Sequence, residues 1–422
     1  MKLSALRNNG FANVLALSMG IVIQIVSVPL MTSAFGVENY GTWVMLLTVP
    51  IIFVLLDLGM HAAATGDMTM KFSAGLLDQS SRVYSTILGA TLAICLVATT
   101  FMFFLLIIAA WYWKIFSVEG DLFWLVAIAL IYAGSWLLSG VPMAGLKGNG
   151  CFVQGVIGYQ CISFVENIIA LLVAFCTNSL IYSLLTLCVV RCIGTACFFY
   201  LAARLVPHLK NSFFEVNRAE LKRLLPIGLS ASAVPIAVTL GLQGVVLISG
   251  ALLGPAMAGV YSTLRTASRV PLTAVSMINL AIVPELSKAR GLGDKKSEAD
   301  CWRLNGYIIL VLLLPTAVLF GFFGTELIEF WSAGVFQLSR PLVGLAASTM
   351  FFHGVWYFRM QLFIACHDHI GLGRFPLFGS VLSLVLVYFV AAEHGLIGAL
   401  AVTTGVELVI CSLIFFARRV LG

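Results

Sequence analysis

Apolar stretches of about twenty residues or more, the length needed to cross a bilayer, recur from one end of this chain to the other. A soluble core cannot absorb that much apolar surface. The composition agrees: 61% of the 422 residues are hydrophobic and 10% are charged, with a mean hydropathy of +1.05, whereas soluble domains carry about 25% charged residues. The reading is an all-α, polytopic membrane protein.

The opening stretch resembles a secretory signal, but its apolar core runs about 22 residues, longer than a signal core, so we read it as a retained first span. Twelve transmembrane helices can be drawn, near 11–34, 42–63, 85–111, 121–143, 150–175 and 180–204, then near 224–250, 257–283, 304–325, 338–365, 371–391 and 395–417. With the N-terminus inside, eighteen basic residues, among them Lys71, Arg82, Arg223, Lys288 and Arg374, fall on the inner side. Outside remain Lys114 and Arg340. The asymmetry predicts that both termini are cytoplasmic. The outer loops are short, which leaves no room for an extracytoplasmic catalytic domain.

The chain repeats itself. "FGVENYGTW" (35–43) joins the first two spans and "LGPAMAGVY" (253–261) joins the seventh and eighth; Gly36 matches Gly254, Gly41 matches Gly259 and Trp43 matches Tyr261. The glycines permit a tight turn and the aromatic marks the membrane interface. The ends "ACFFYLAARLV" (196–206) and "LIFFARRVLG" (413–422) are also alike. This predicts two six-helix lobes, 1–212 and 213–422, related by a parallel repeat with a cleft between them, as in transporters.

Seven ionisable residues other than histidine lie at membrane depth: Asp57, Glu166, Arg191, Arg265, Arg269, Arg359 and Glu407. Each costs roughly 2.5–3.5 kcal/mol near the bilayer centre, so each should face a cavity or a partner. In "STLRTASRVPL" (262–272), Arg265 and Arg269 are four apart on one helix face, with Tyr261 a turn above. Two adjacent guanidiniums repel, and a dianion such as a phosphorylated ligand resolves the repulsion through bidentate hydrogen bonds. Arg359 and Arg191 join them as candidate substrate contacts. The alternative is internal pairing with Asp57, Glu166 and Glu407, including an Arg191–Glu407 pair between halves. The three acids are equally candidates for carrying H+ or Na+.

Other features read blandly. His353 is a packing residue, and the histidine-rich "CHDHIGLGR" (366–374) is a solvated turn rather than a metal site. The ten cysteines lack metal spacing and fill helix contacts. Pro50, Pro235, Pro271 and Pro315 bend their helices. No phosphate-binding loop is present, and nothing points to a cofactor or to nucleic acid.

The stretch 27–59, with its "FG-x3-YG-x-W" turn and the "DLG" at 57–59, resembles the opening of Wzx-type polysaccharide flippases, and "VPMAGLKGNG" (141–150) and the span count fit too. That superfamily, known as MOP, also holds lipid II flippases and MATE antiporters. The resemblance implies a V-shaped, two-lobed fold. It implies a non-enzymatic function, flipping an undecaprenyl-pyrophosphate-linked repeat unit of O-antigen or capsule type across the bacterial inner membrane. Arg265 and Arg269 then hold the pyrophosphate, membrane lipid surrounds the chain, and the polysaccharide polymerase is a potential partner. Lipid II is disfavoured because the first span carries Gln24 and Ser27 rather than arginines. A MATE-like exporter and a membrane polymerase or glycosyltransferase are the alternatives; the former requires an acidic cavity, the latter a large outer loop.

Overall fold

The computed structural model describes residues 3–112, 121–209, 216–366 and 371–421, and every regular element among them is helical. In chain order these are α1 (Leu3–Phe53), α2 (Met60–Ser73), α3 (Leu77–Tyr112), α4 (Asp121–Gly148), α5 (Phe152–Thr177) and α6 (Leu180–Leu205). They continue as α7 (Arg218–Leu253), α8 (Pro255–Leu280), α9 (Ile282–Leu292), α10 (Lys295–Ile308), α11 (Leu314–Trp331), α12 (Arg340–Ala365) and α13 (Arg374–Leu421). Nine helical stretches among the described residues are long and apolar enough to span a membrane. Two of them, α1 and α13, are pairs of helices joined at Gly36 and Gly395, and α12 brings the membrane-length segments to the twelve that the apolar pattern predicts. Lys114, Lys210 and positions 367–370 of the histidine-rich turn lie outside the described residues.

Two compact units emerge, Met1–Phe35 with Leu46–Ser232, and Gly36–Met45 with Ala233–Gly422. The lobe boundary expected at 212/213 lies outside the described residues.

In the first unit α4 runs between α3, α5 and α6, and Tyr84, Ile87, Leu88, Val141 and Leu146 form its buried centre. Close packing requires small residues: a Cβ on Gly145 would fall 2.6 Å from the Tyr84 ring. The helix of the second span breaks before it is complete. Val54–Asp57 tightens to a 3-10 turn, Leu58 (φ 49°) and Gly59 (φ 73°) turn left-handed, and α2 restarts at Met60. The break lets the α7 backbone approach, for a Cβ on Gly59 would meet the Gly228 carbonyl oxygen at 2.4 Å.

In the second unit the sequence repeat becomes a physical contact. Gly36 (φ 75°, ψ 172°) and Gly254 (φ 92°, ψ 160°) share one backbone state, which L-residues with a Cβ avoid. A Cβ on Gly41 would overlap the Pro255 carbonyl, and one on Gly259 would press the Val37 carbonyl at 3.3 Å. Val37 and Pro255 are themselves equivalent in the repeat, so the two copies pack reciprocally. Pro315 also leaves its mark: without an N–H it cannot bond to the Val311 carbonyl, and the ladder shifts into a π-helical turn at Ile309–Leu313.

Candidate functional site

The cavity of interest lies wholly within the second unit, walled by α7, α8, α12 and both halves of α13. From α8 come Tyr261, Arg265 and Arg269, spaced by four so that one face carries all three. His353 and Trp356 enter from α12, and Thr403 and Glu407 from the last helix. The enclosed space is about 70 Å³, enough for several waters or a small anionic group.

The two arginines are held differently. Arg265 donates to the Leu242 carbonyl at 3.2 Å and to Gln243 Oε1 at 3.0 Å, with Ser262 Oγ at 3.4 Å. These are neutral acceptors, so its charge is oriented but not cancelled. Arg269 is half-buried, and no group among the described residues accepts a hydrogen bond from its guanidinium. Its electrostatic neighbours are Arg265, Tyr357, Tyr261 and Glu407. Five N–H donors therefore face the cavity region without an assigned acceptor.

Glu407 is the acid of the cavity. It accepts from His353 Nδ1 at 3.0 Å, and the Trp356 indole N–H donates to its other oxygen. Both partners sit on α12, and the His353 ring packs edge-on against Trp356 at 4.9 Å. Two arginines against one glutamate leave the cavity net cationic.

Arg191 and Glu166 belong to the first unit and close on each other. Both residues are 0% exposed. The Arg191 guanidinium contacts Glu166 Oε1, which also accepts from Tyr132 Oη at 2.8 Å. The rings of Tyr132, Trp136 and Tyr159 surround the guanidinium at 5.4–5.9 Å. In place of the Arg191–Glu407 pair weighed from the sequence, Arg191 is held by Glu166 and Glu407 by His353 and Trp356, each within its own unit.

Asp57 sits at the break in the second span, where both its oxygens accept from the His61 backbone N–H at 3.2 Å and one pairs with His61 Nδ1. His61 Nε2 in turn meets Thr91 Oγ1 at 3.0 Å. Arg359 lines a different cavity, stacked over the Phe415 ring at 4.0 Å.

Sequence reasoning took His353 for a packing residue, and it missed Trp356 as a donor to Glu407 and His61 as the partner of Asp57. The i,i+4 spacing of Asp57 and His61 was a usable signal. A buried amide chain went unnoticed: Asn305 donates to Asn279 at 2.6 Å and Asn279 to Gln361 at 2.7 Å, tying α8, α10 and α12 behind the cavity.

Solved structures place the fold. The lipid II flippase MurJ, inward closed, superposes with TM-score 0.66 at 15% identity, covering 97% of this chain and 87% of that one. An inward-facing multidrug resistance MATE family transporter of the MOP superfamily gives 0.64 at 12%, covering 95% and 97%. A MOP superfamily transporter from Pyrococcus furiosus gives 0.59 at 12%, covering 95% and 94%. This is a multi-pass membrane protein with the all-helical fold those transporters share. No curated protein matches the sequence. A family profile described as polysaccharide biosynthesis protein matches residues 38–333, the segment that carries Gly41 and Pro255 of the repeat contact and Tyr261, Arg265 and Arg269 of the cavity, and the chain belongs to that family.

Proposed function

We propose that this protein flips an undecaprenyl-pyrophosphate-linked oligosaccharide, of O-antigen or capsule type, from the cytoplasmic to the periplasmic leaflet of a bacterial inner membrane. Residues 1–212 and 213–422 act as the two lobes of an alternating-access cycle, with both termini cytoplasmic. The observation that carries the reading is Arg269: a guanidinium beside a second one, in a membrane cavity, with no acceptor for its hydrogen bonds among the described residues. Removing that charge from water is unfavourable unless an anion arrives. A pyrophosphate offers acceptors to both Arg265 and Arg269, with Tyr261 on the same face as a further donor. The polyprenyl tail stays in lipid, and the flipped unit is delivered to a polymerase.

Transport in this direction moves negative charge out of a negative interior, worth about 2.3 kcal/mol per charge per 100 mV. Of the three membrane acids, Glu407 pairs with His353 and Asp57 with His61, whereas Glu166 pairs with an arginine, so Glu407 and Asp57 are the sites for a coupled H+ or Na+. Glu166 is engaged by Arg191 and serves the first unit's packing instead. The net positive cavity argues against a MATE-like exporter of organic cations, which needs an acidic one.

The test is surface polysaccharide output from cells whose sole copy carries Arg265→Ala with Arg269→Ala. Output should vanish while the protein remains in the membrane, and normal output would refute the reading. Lysine at both positions keeps the charge but loses the fork, so partial output would separate charge from bidentate geometry.

A further inference from the structure

A second cavity, of about 210 Å³, opens on the flank of the second unit and shares no lining residue with the first. Gly306, Leu310, Phe351, Val355, Arg359 and Phe415 line it. The π-helical turn at Ile309–Leu313 contributes Ile309 and Leu310 to its wall, and a Cβ on Gly306 would project into open space. The surroundings are lipid-facing. Leu310 and Val311 are each 60% exposed, Leu304, Tyr307 and Phe415 are exposed beside them, and all but Phe415 lie in the apolar spanning stretch Lys295–Trp331. Acyl chains must cover such a surface.

Into this apolar recess the fold places one permanent cation. The Arg359 guanidinium lies over the Phe415 ring, a stacking that fixes its plane. Arg359 is six residues from the C-terminal end of α12, about 9 Å along the axis, which puts its head within snorkelling reach of the interface. Arg303 stands one helical turn before Gly306 on α10, exposed and paired only loosely with Asp300 at 3.3 Å. A cationic mouth above a greasy slot matches one ligand chemistry, a phosphodiester carrying acyl chains.

We propose that this recess binds an anionic phospholipid of the surrounding leaflet, its phosphate on Arg359 and an acyl chain along Gly306, Leu310 and Phe415. A single guanidinium within the recess suits a monoanionic phosphodiester, whereas a pyrophosphate is better served by the pair on α8. The inference is independent of the transport reading, since it concerns residues the first cavity does not use.

The experiment is retention of dioleoyl-phosphatidylglycerol and dioleoyl-phosphatidylcholine by the purified full-length protein, read by native mass spectrometry and by thermal shift. Phosphatidylglycerol should be retained and should raise the melting temperature, and phosphatidylcholine should do neither. Arg359→Gln should weaken phosphatidylglycerol retention about tenfold, as expected for one lost charge-assisted contact. Gly306→Leu, which favours the helix and fills the slot without touching the cation, should weaken it too, and it keeps the test open if Arg359→Gln does not fold. Equal retention of the two lipids, or unchanged retention in Gly306→Leu, overturns the proposal. Displacement of phosphatidylglycerol from this site by undecaprenyl pyrophosphate also overturns it, because the recess would then belong to the transported lipid.

Discussion

Arg191 and Arg269 are both guanidiniums sunk in spanning helices, yet their surroundings are opposite. Arg191 is sealed: a carboxylate opposite it, three aromatic rings around it, and no exposed surface. Arg269 has a second arginine for a neighbour, lines a cavity and has no hydrogen-bond acceptor among the described residues. A buried cation whose charge is answered within the fold is a structural element. One left unanswered is a demand for a ligand.

The sharpest way to break this contrast is to remove Arg191. Arg191→Ala strands Glu166 as an uncompensated buried charge and should cost about 3–5 kcal/mol, seen as loss of folded protein in detergent unfolding. Adding Glu166→Leu should recover much of it, because an apolar pair replaces an ion pair at little cost. Wild-type stability in Arg191→Ala would erase the distinction.

The matching change on the other side should behave in reverse. Arg269→Ala should shift stability by no more than about 1 kcal/mol, since its guanidinium donates no hydrogen bond to any described residue, while polysaccharide output collapses. A large unfolding effect would mean that Arg269 is structural after all.

Glu407→Gln sharpens the account of the cavity itself. It removes the negative charge that competes for the arginines but keeps an acceptor for Trp356. Inorganic pyrophosphate should then bind roughly fivefold more tightly by calorimetry; weaker binding would place the anion elsewhere.

The smallest effect belongs to a network that shares the chemistry but opens to water through Arg223. Arg223 donates to both Asp67 oxygens at 2.8 and 2.6 Å and to Glu220, and Lys71 bridges the same two acids. Burial opposes ionisation of Asp67 and of Glu220, but the bonds from Arg223 and Lys71 outweigh it and hold both carboxyls below their usual range. Stability from depressed carboxylates is fully present above their unfolded values near 4 and is lost as pH falls through the lower folded values. Arg223 is 44% exposed, so screening limits the contribution to about 1 kcal/mol or less. Arg223→Ala should flatten the acid limb of a melting-temperature profile between pH 5 and 3, as should high salt; an unchanged slope would remove the network from the account.

Much of the architecture was legible in the chain. The lengths of the apolar runs anticipated membrane helices, and "FGVENYGTW" and "LGPAMAGVY" anticipated a repeat whose glycines now prove to share a backbone state and to pack on each other. The seven membrane charges were also visible, because an ionisable side chain in hydrocarbon stands out in one dimension. Their partners were not. Glu407 lies 54 residues from His353 and 51 from Trp356, and nothing local links them. Arg359 looked like a companion of Arg265 and instead lines a separate recess. The break at Leu58 and Gly59 fell inside what the apolar pattern drew as one continuous span.

The division has a physical reason. Span length, turn glycines and the placement of charge depend on distance along the chain and on the thickness of the bilayer, so sequence alone determines them. Which charge is quenched and which stays hungry depends on how each helix is rotated about its axis and what it packs against. Those angles come from many weak side-chain contacts summed over neighbouring helices, and tertiary structure alone decided them.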